Sequence, residues 1–225
     1  NHKGNREFMP ARILDALVRA WRDSALEYLT VLRSDRWNVN HGAIAILARK
    51  GLLPYVVTLN FDSLIETALN KFKVPFVLKL PLSSYAGSIG KGPPLLTLVK
   101  PHGSLPITED EAIGKHLAAT LRYTGMNVQP ENRHELESIS RQCSCIVVAG
   151  YRNGDWDIFP MLEELNLSNI VWIQHPDGQA KPLSEVTQWL KRTKAHSNLI
   201  RVDVSDFMRD VFKALRLKLP RLPAN

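Results

Sequence analysis

The sequence contains few cysteines and no long apolar run, and both features restrict what the protein can be. Its 225 residues include only Cys143 and Cys145, too few for a disulfide framework or a four-cysteine zinc site. No apolar run approaches the ~18 residues that span a bilayer, which excludes a transmembrane helix and gives no reason to expect a membrane partner. No signal-peptide pattern follows Asn1. A reducing, cytoplasmic setting is the simplest interpretation.

The composition that is present is that of a folded globular protein. Hydrophobic residues make up 44% and charged residues 23% of the chain, which argues against general disorder. The length suits one large domain. We therefore predict a single domain over residues 1–225, with a helical segment at 1–52 and a sheet core at 53–225.

The net charge of +7 is distributed unevenly along the chain. Residues 1–50 carry +4 and residues 179–225 carry +6, whereas residues 51–178 carry −3. A nucleic-acid binder usually places basic residues on its working surface. Because the polar motifs described below lie in the acidic segment, the basic surplus favours a solvated face or a docking surface for another module. Nucleic acid is therefore expected to be only an indirect partner.

Hydrophobic periodicity predicts strands that alternate with helices after residue 52. A first helix is predicted from Pro10 and a second over 41–52. The loop at 83–94 is rich in glycine, serine and proline, and Ser205 is a candidate N-cap. The predicted strands lie at 55–59, 75–78, 95–99, 145–149, 170–173 and 199–202, and the predicted helices between and after them lie at 62–72, 132–142, 158–165, 183–191 and 206–217. This alternation indicates an α/β fold with a mostly parallel sheet and helices on both faces.

Unusual polar residues follow the first predicted strand. In a parallel sheet ligands bind at the carboxyl ends of the strands, so Thr58, Asn60 and Asp62 are candidates for function. Asp62 can also simply cap the following helix, and Asn60 can make a local turn bond. As a functional residue, Asn60 offers a donor and an acceptor that orient a ligand amide or an attacking water.

A second set follows the strand at 95–99, where His102 stands between Pro101 and Gly103. Proline fixes the approach, glycine permits close contact with a ligand, and Ser104 adds a hydroxyl. A histidine with a near-neutral pKa can act as a general base toward a ribose hydroxyl or a water. An isolated histidine can equally be a satisfied core residue.

A third set follows the strand at 145–149. Gly150 and Tyr151 end that strand, and Asp155 with Asp157 opens the next helix. Gly150 permits close backbone approach to a phosphate or ribose, or alternatively makes a tight turn. The two aspartates lack a third ligand at suitable spacing for a metal. We interpret both cysteines as small core residues.

Taken together, the three motifs resemble the Sir2 superfamily. Val57-Thr58-Leu59-Asn60-Phe61-Asp62 with Ile65-Glu66 resembles its T-x-N-[FI]-D-x-L-[IL]-E segment. His102-Gly103-Ser104 is similar to its catalytic histidine motif. Val148-Ala149-Gly150-Tyr151 followed by Gly154-Asp155-Trp156-Asp157-Ile158 resembles the G-[YF]-S-x-x-D-x-D-[IL] segment of the zinc-free prokaryotic SIR2-like subgroup. The resemblance covers roughly residues 41–175.

This resemblance implies a Rossmann-like fold that binds NAD and breaks its nicotinamide–ribose bond. It implies that Asn60 and His102 are catalytic and that the NAD contacts come from Thr58, Asp62, Gly103, Ser104, Gly150, Tyr151, Asp155 and Asp157. The leaving nicotinamide gives an oxocarbenium-like ribose, which needs a polar, preorganised site. The implied function is an NAD glycohydrolase, an effector module of the kind found in bacterial anti-phage defence, acting with a sensor domain or partner protein. A homo-oligomer is left open.

Three departures from the family pattern keep alternatives open. The two C-x-x-C pairs of zinc-binding deacetylases are missing, so no zinc is expected, chelators should not unfold the protein, and a protein deacylase is the less favoured alternative. Arg152 replaces the serine expected after Tyr151. No G-A-G-x-S phosphate loop lies upstream of Asn60, so either that loop precedes Asn1 or the chain is a degenerate member. The last case would make it a non-catalytic NAD-binding or ADP-ribose-binding module or a scaffold.

Overall fold

A computed structural model describes residues 33–80, 86–105, 130–151, 158–176 and 184–221. Their elements, in chain order, are α1 (Val39–Arg49), β1 (Tyr55–Val57), α2 (Leu64–Lys71), β2 (Phe76–Lys79), β3 (Ala86–Ile89), β4 (Leu96–Val99), α3 (Pro130–Gln142), β5 (Ile146–Ala149), α4 (Ile158–Glu164), β6 (Asn169–Gln174), α5 (Ser184–Arg192), β7 (His196–Arg201) and α6 (Val204–Ala214). The α/β architecture with mostly parallel strands is confirmed. The helix predicted from Pro10 and the aspartates Asp155 and Asp157 lie outside the described residues.

The chain divides into two compact units. We call residues 25–118 and 204–225 the four-stranded unit, and residues 1–24 and 119–203 the three-stranded unit. The prediction of one domain over the whole chain stays a prediction. No helix in the described ranges is long and apolar enough to cross a membrane.

The four-stranded unit contains a sheet in the order β1-β4-β2-β3. Strand β4 pairs in parallel with β1 on one side and with β2 on the other. Strand β3 is antiparallel to β2, with Phe76 opposite Ile89 and Lys79 opposite Ala86. The prediction of a continuous loop over 83–94 was therefore wrong at Ala86–Ile89. Ala86, Gly87 and Ser88 have little strand propensity. This segment forms a strand because it pairs with the neighbouring strand β2.

Helices α1, α2 and α6 complete this unit. A core of fully buried side chains joins α1 and α2 to the sheet, and its members include Ala45, Ala48, Ala68, Leu69, Phe76 and Leu98. Helix α6 packs on α1 through Phe212, which is in the same cluster as Ala43, Ile46 and Leu47. The small side chains of Ala43, Ala45 and Ala48 let α1 pack closely on the neighbouring elements.

The three-stranded unit holds the parallel sheet β5-β6-β7, with Val147 opposite Val171 and Val171 opposite Asn198. Its centre is aromatic: the rings of Phe159, Trp172 and Trp189 contact one another edge to face, with centroids 5.6–6.3 Å apart. Such pairs stabilise a core beyond the area that they bury. In this unit α4, α5 and β6 are therefore fixed mainly by apolar packing.

Several local predictions require correction. Among the described strands, β1 and β5 each have one neighbour and are edge strands, although consecutive apolar residues such as theirs are typical of buried strands. Val57 is 37% exposed and Val147 is 50% exposed. Cys143 is half-buried and Cys145 is exposed, so they are not both core residues. Burial, followed by the neighbouring Cys145, raises the pKa of the Cys143 thiol.

The N-cap prediction at Ser205 was also wrong. Helix α6 begins one residue earlier, at Val204, so Ser205 lies inside its first turn. There the Ser205 hydroxyl accepts a hydrogen bond from Nδ2 of Asn40 at 3.2 Å. The serine thus links two helices of the four-stranded unit.

Candidate active site

The carboxyl ends of β1 and β4 meet at one edge of the four-stranded sheet. Val57 and Val99 are register partners in these parallel strands. Asn60 and His102 each follow their paired valine by three residues, so both belong to the loops that leave this edge. The structure therefore brings the first two sequence motifs to neighbouring positions, because β4 is inserted directly beside β1.

The loop after β1 is built from short-range hydrogen bonds. The Thr58 N–H extends the strand pairing by donating to the Val99 carbonyl at 3.0 Å. The Thr58 hydroxyl then accepts the Asn60 N–H at 3.2 Å, and Asp62 Oδ1 accepts the Leu64 N–H at 3.1 Å. Asp62 therefore binds the first N–H group of α2, which begins at Leu64, whereas the N-cap residue Ser63 makes no side-chain cap bond. The local turn bond uses the Thr58 hydroxyl and leaves Asn60 in an exposed position.

The loop after β4 is a tight turn that carries His102. Its closing bond runs from the Gly103 N–H to the Lys100 carbonyl at 2.9 Å. Pro101 occupies the second position, which suits its fixed φ, and Gly103 has a φ of +89°, which a residue with a Cβ adopts only with strain. His102 is buried, with 6% of its surface exposed. The proline and glycine therefore set the position of the histidine.

A buried charged cluster lies behind this turn, and the sequence analysis missed it. The Lys100 Nζ donates to Glu66 Oε1 at 2.9 Å, to the Ser104 hydroxyl at 2.8 Å and to the Asp62 carbonyl. The Lys100 and Glu66 side chains are 0% and 1% exposed. Two signals could have revealed it: Glu66 lies on the apolar face of α2, and Lys100 directly continues a buried strand. Such ionisable residues are buried only when they are paired.

Ser104 is drawn into the same cluster. Its hydroxyl contacts Glu66 Oε1 at 3.3 Å and donates to the Leu105 carbonyl at 2.9 Å, and the residue is 4% exposed. The predicted NAD contact at Ser104 stays a prediction. In the structure the Ser104 hydroxyl binds within the protein, because it links the loop after β4 to the Lys100–Glu66 ion pair.

His41 is a further titratable group near this edge. Burial lowers the pKa of His41, while the negative charges of Asp62 and Glu66 raise it and only partly compensate. Nδ1 of His41 accepts the Asn38 N–H at 3.1 Å, so the neutral ring completes the N-terminal cap of α1. The sequence analysis placed His41 in a helix and gave it no electrostatic role.

No described helix of the four-stranded unit begins at a glycine-rich turn that could hold a phosphate. Gly42 serves packing: a Cβ there would lie 2.7 Å from the Trp37 ring and 2.8 Å from Pro220. Asn38 Oδ1 already accepts the N–H groups of Asn40 and His41 at the start of α1. At the start of α2, Asp62 Oδ1 accepts one N–H group, that of Leu64. These bonds occupy three of the N–H groups that could otherwise bind an anion at the two helix N-termini.

The third sequence motif lies in the three-stranded unit. Gly150 follows β5 with a φ of +70° and with no described atom within 4 Å of its Cβ position. Glycine adopts this conformation without strain, and it fits a tight turn and a close approach to a ligand equally. Tyr151 packs on Trp172, with ring centroids 5.9 Å apart. Within the described ranges no group of histidine, cysteine or carboxylate side chains could hold a metal ion.

Comparison with known proteins decides the family. A SIR2-like domain family matches residues 54–177, more than half of the chain. The chain belongs to the SIR2-like family. The match includes all three motifs, and it identifies the region as the kind of NAD-binding domain that those motifs indicated. A comparison with curated proteins gives no match.

Three solved structures resemble the SIR2-like chain at low identity. All are ADP-ribose complexes of Sir2 homologues with single substitutions. The serine-to-alanine form is 21% identical, with a TM-score of 0.44, and the match covers 94% of this chain and 80% of that one. The phenylalanine-to-alanine form is 20% identical, with a TM-score of 0.45 and coverages of 95% and 84%. The histidine-to-asparagine form is 20% identical, with a TM-score of 0.44 and coverages of 94% and 80%. The family assignment rests on the domain match alone.

Proposed function

We propose that this SIR2-like protein is an NAD glycohydrolase that cleaves the nicotinamide–ribose bond. The observation that carries the proposal is the equivalent placement of Asn60 and His102, each three residues beyond the paired Val57 and Val99. An exposed amide and a nearly buried imidazole at one sheet edge are suited to a polar substrate that must be oriented as well as bound. The ADP-ribose complexes of the Sir2 homologues are consistent with this choice of substrate.

The two residues would divide the chemistry between them. Water attacks the anomeric carbon as the carbon–nitrogen bond breaks, nicotinamide leaves as a neutral molecule, and one proton is released. Asn60 would orient this water through its amide, and His102 would contact the ribose hydroxyls or take up the proton. The fixed dipoles of a preorganised site stabilise the positive charge that develops on the ribose. The other motif residues remain the proposed NAD contacts.

The test is to incubate the purified protein with NAD alone and to measure free nicotinamide and ADP-ribose. We expect release without any acyl-lysine peptide. Asn60→Ala should reduce the rate by about 10²-fold or more, because an aligned water contributes at that level. Asn60 is exposed, so its stability should change by less than about 0.5 kcal/mol. Asn70→Ala, at an exposed site on α2 away from this edge, is the matched control and should retain full activity.

His102 requires a different comparison because it is buried. His102→Gln is preferable to alanine, since it preserves part of the volume, and its activity should be normalised to the folded fraction measured by circular dichroism. Loss of activity in folded His102→Gln supports the proposal. Retained activity in both the Asn60 and His102 variants would return the two residues to structural roles.

The remaining outcomes identify the alternatives. Release that depends on an acylated peptide would indicate a deacylase. Absence of release with measurable ADP-ribose binding would indicate a non-catalytic binding module. Absence of both would indicate a scaffold, and the helix-start N–H groups already occupied in α1 and α2 are the observation that favours this second candidate. Our proposal also includes a role as a defence effector that acts with a sensing partner. That role can be tested once nicotinamide release has been measured.

A further inference from the structure

Lys100 has an unusually complete set of hydrogen bonds for a lysine. All three donors of its ammonium are used: Glu66 Oε1, the Ser104 hydroxyl and the Asp62 carbonyl accept them. Its backbone is fixed as well, because its N–H donates to the Lys79 carbonyl at 3.0 Å and its carbonyl accepts the Gly103 N–H at 2.9 Å. Lys100 therefore connects strand β2, the His102 turn and the loop after β1.

Stability alone does not explain this arrangement. Burying an ion pair removes two charges from water, and an apolar pair of similar volume is often as stable or more stable. Moreover, Glu66 Oε2 is buried without a hydrogen-bond partner among the described residues. A pair selected only to stabilise the fold would have both carboxylate oxygens satisfied, since an unpaired buried oxygen is costly.

The contacts of the pair point to the two site loops. The Lys100 ammonium reaches the Asp62 carbonyl, two residues beyond Asn60. Next to it, the Leu105 N–H donates to the Phe61 carbonyl at 2.7 Å. The β1 loop is therefore bonded to the β4 loop at two adjacent carbonyls, and His102 lies in the turn between Lys100 and Leu105. A shift of the lysine would move both loops.

We propose that Lys100, held by Glu66 and Ser104, is a positioning residue that fixes the His102 turn against the Asn60–Asp62 segment. The lysine does not touch the substrate. It acts by holding two loops whose side chains must meet the same ribose. The effect on catalysis rests on the NAD glycohydrolase function proposed above, whereas the holding of the two loops by Lys100 does not.

The test compares wild type with the double variant Lys100→Met/Glu66→Gln, which removes both charges together and leaves no unpaired ion in the core. We expect this variant to fold and its kcat for nicotinamide release to fall roughly 10- to 100-fold, because small displacements of reacting groups have effects of that size. KM should change little. Lys71→Met, at an exposed site on α2, is the matched control and should behave as wild type.

A second measurement separates this inference from the proposed function. The imidazole signals of His102 can be followed by NMR after assignment with a His102→Gln variant. Displaced signals in the folded double variant support positioning even if wild type releases no nicotinamide, a result that overturns only the glycohydrolase proposal. Unchanged signals together with wild-type kcat overturn the inference and leave the glycohydrolase standing. If wild type is inactive, unchanged signals alone overturn the inference.

If the double variant does not fold, Glu66→Gln provides the same comparison. The glutamine oxygen can still accept from Lys100, so the volume and one hydrogen bond are kept while the negative charge is removed. Displaced His102 signals in this variant, with secondary structure retained, support the inference. A variant with wild-type signals and wild-type kcat overturns it.

Discussion

The two units solve the same folding problem with different interactions. Of the described residues with buried polar or charged side chains, Glu66, Lys100, His102 and Ser104 lie in the four-stranded unit and Ser140 in the three-stranded unit. The three-stranded unit depends instead on its aromatic rings. Hydrogen bonds are directional and fix loops in one geometry, whereas apolar packing is less directional and stabilises elements. Among the described residues, the four-stranded unit is therefore the one whose loops are held by a cluster of buried polar side chains.

The largest expected effect is on the stability of the three-stranded unit when its central aromatic side chain is removed. Trp172 is 1% exposed and contacts Phe159, Trp189 and Tyr151. Trp172→Ala should destabilise the three-stranded unit by about 3–5 kcal/mol through lost burial and a cavity. Hydrogen exchange should accelerate in β5–β7 more than in β1–β4. Trp172→Phe is the control and should cost less, and equal acceleration in both sheets would break the distinction between the units.

A smaller effect is expected at the cap of α1 in the four-stranded unit. The Asn38 side chain accepts the Asn40 and His41 N–H groups, so Asn38→Ala should lower the free energy of unfolding by about 1 kcal/mol. Denaturant titration measures the change. Asn70→Ala, in which the asparagine makes no cap at a helix start, should stay within about 0.5 kcal/mol of wild type. Equal losses in the two variants would mean that the cap contributes nothing.

The smallest expected effect is a pH dependence of the stability of the four-stranded unit. Because the pKa of His41 is lowered in the folded state, the unfolded chain binds a proton more readily there. The contribution of His41 is fully present above its unfolded pKa near 6.5 and is lost as the pH falls through the lowered folded pKa. Protonation also removes the Nδ1 acceptor for the Asn38 N–H.

Denaturant titrations at pH 7.5 and 5.5 on wild type and His41→Gln measure this contribution. Glutamine can accept the same N–H in a capping box and does not titrate. The variant should therefore lose less stability between the two pH values than wild type does. A loss of the same size in both would assign the pH dependence to other groups.

Sequence periodicity predicted the elements in which the order of apolar and polar residues along the segment itself indicates the buried face. The helices at α1 and α2 and the strands at β2, β4 and β6 were predicted within a few residues of their observed bounds. Strand β3 was missed because Ala86–Ile89 has little strand propensity of its own and forms by pairing with β2. The exposure of Val57 and Val147 was also missed, since strand order decides which strands lie at an edge.

The candidate site was predictable in its residues but not in its connections. The strand-end positions of Asn60 and His102 followed from the alternation of strands and helices. The pairing of Lys100 with Glu66 did not, because a sequence shows two ionisable residues and no distance between them. Likewise Gly42 had no visible purpose until Trp37 and Pro220 were found beside it.

The insertion of β4 between β1 and β2 has a consequence for synthesis of the chain. Among the described strands, β1 pairs with β4 alone, although β2 and β3 come between them in the sequence. A nascent chain that ends before Leu96 therefore has its β2–β3 hairpin available, while β1 still lacks its partner. Long-range parallel pairs close slowly because loop entropy must first be overcome. Asn60 is therefore synthesised before the partner strand of β1 and before the turn that carries His102, and the two site loops can meet only after β4 has been made.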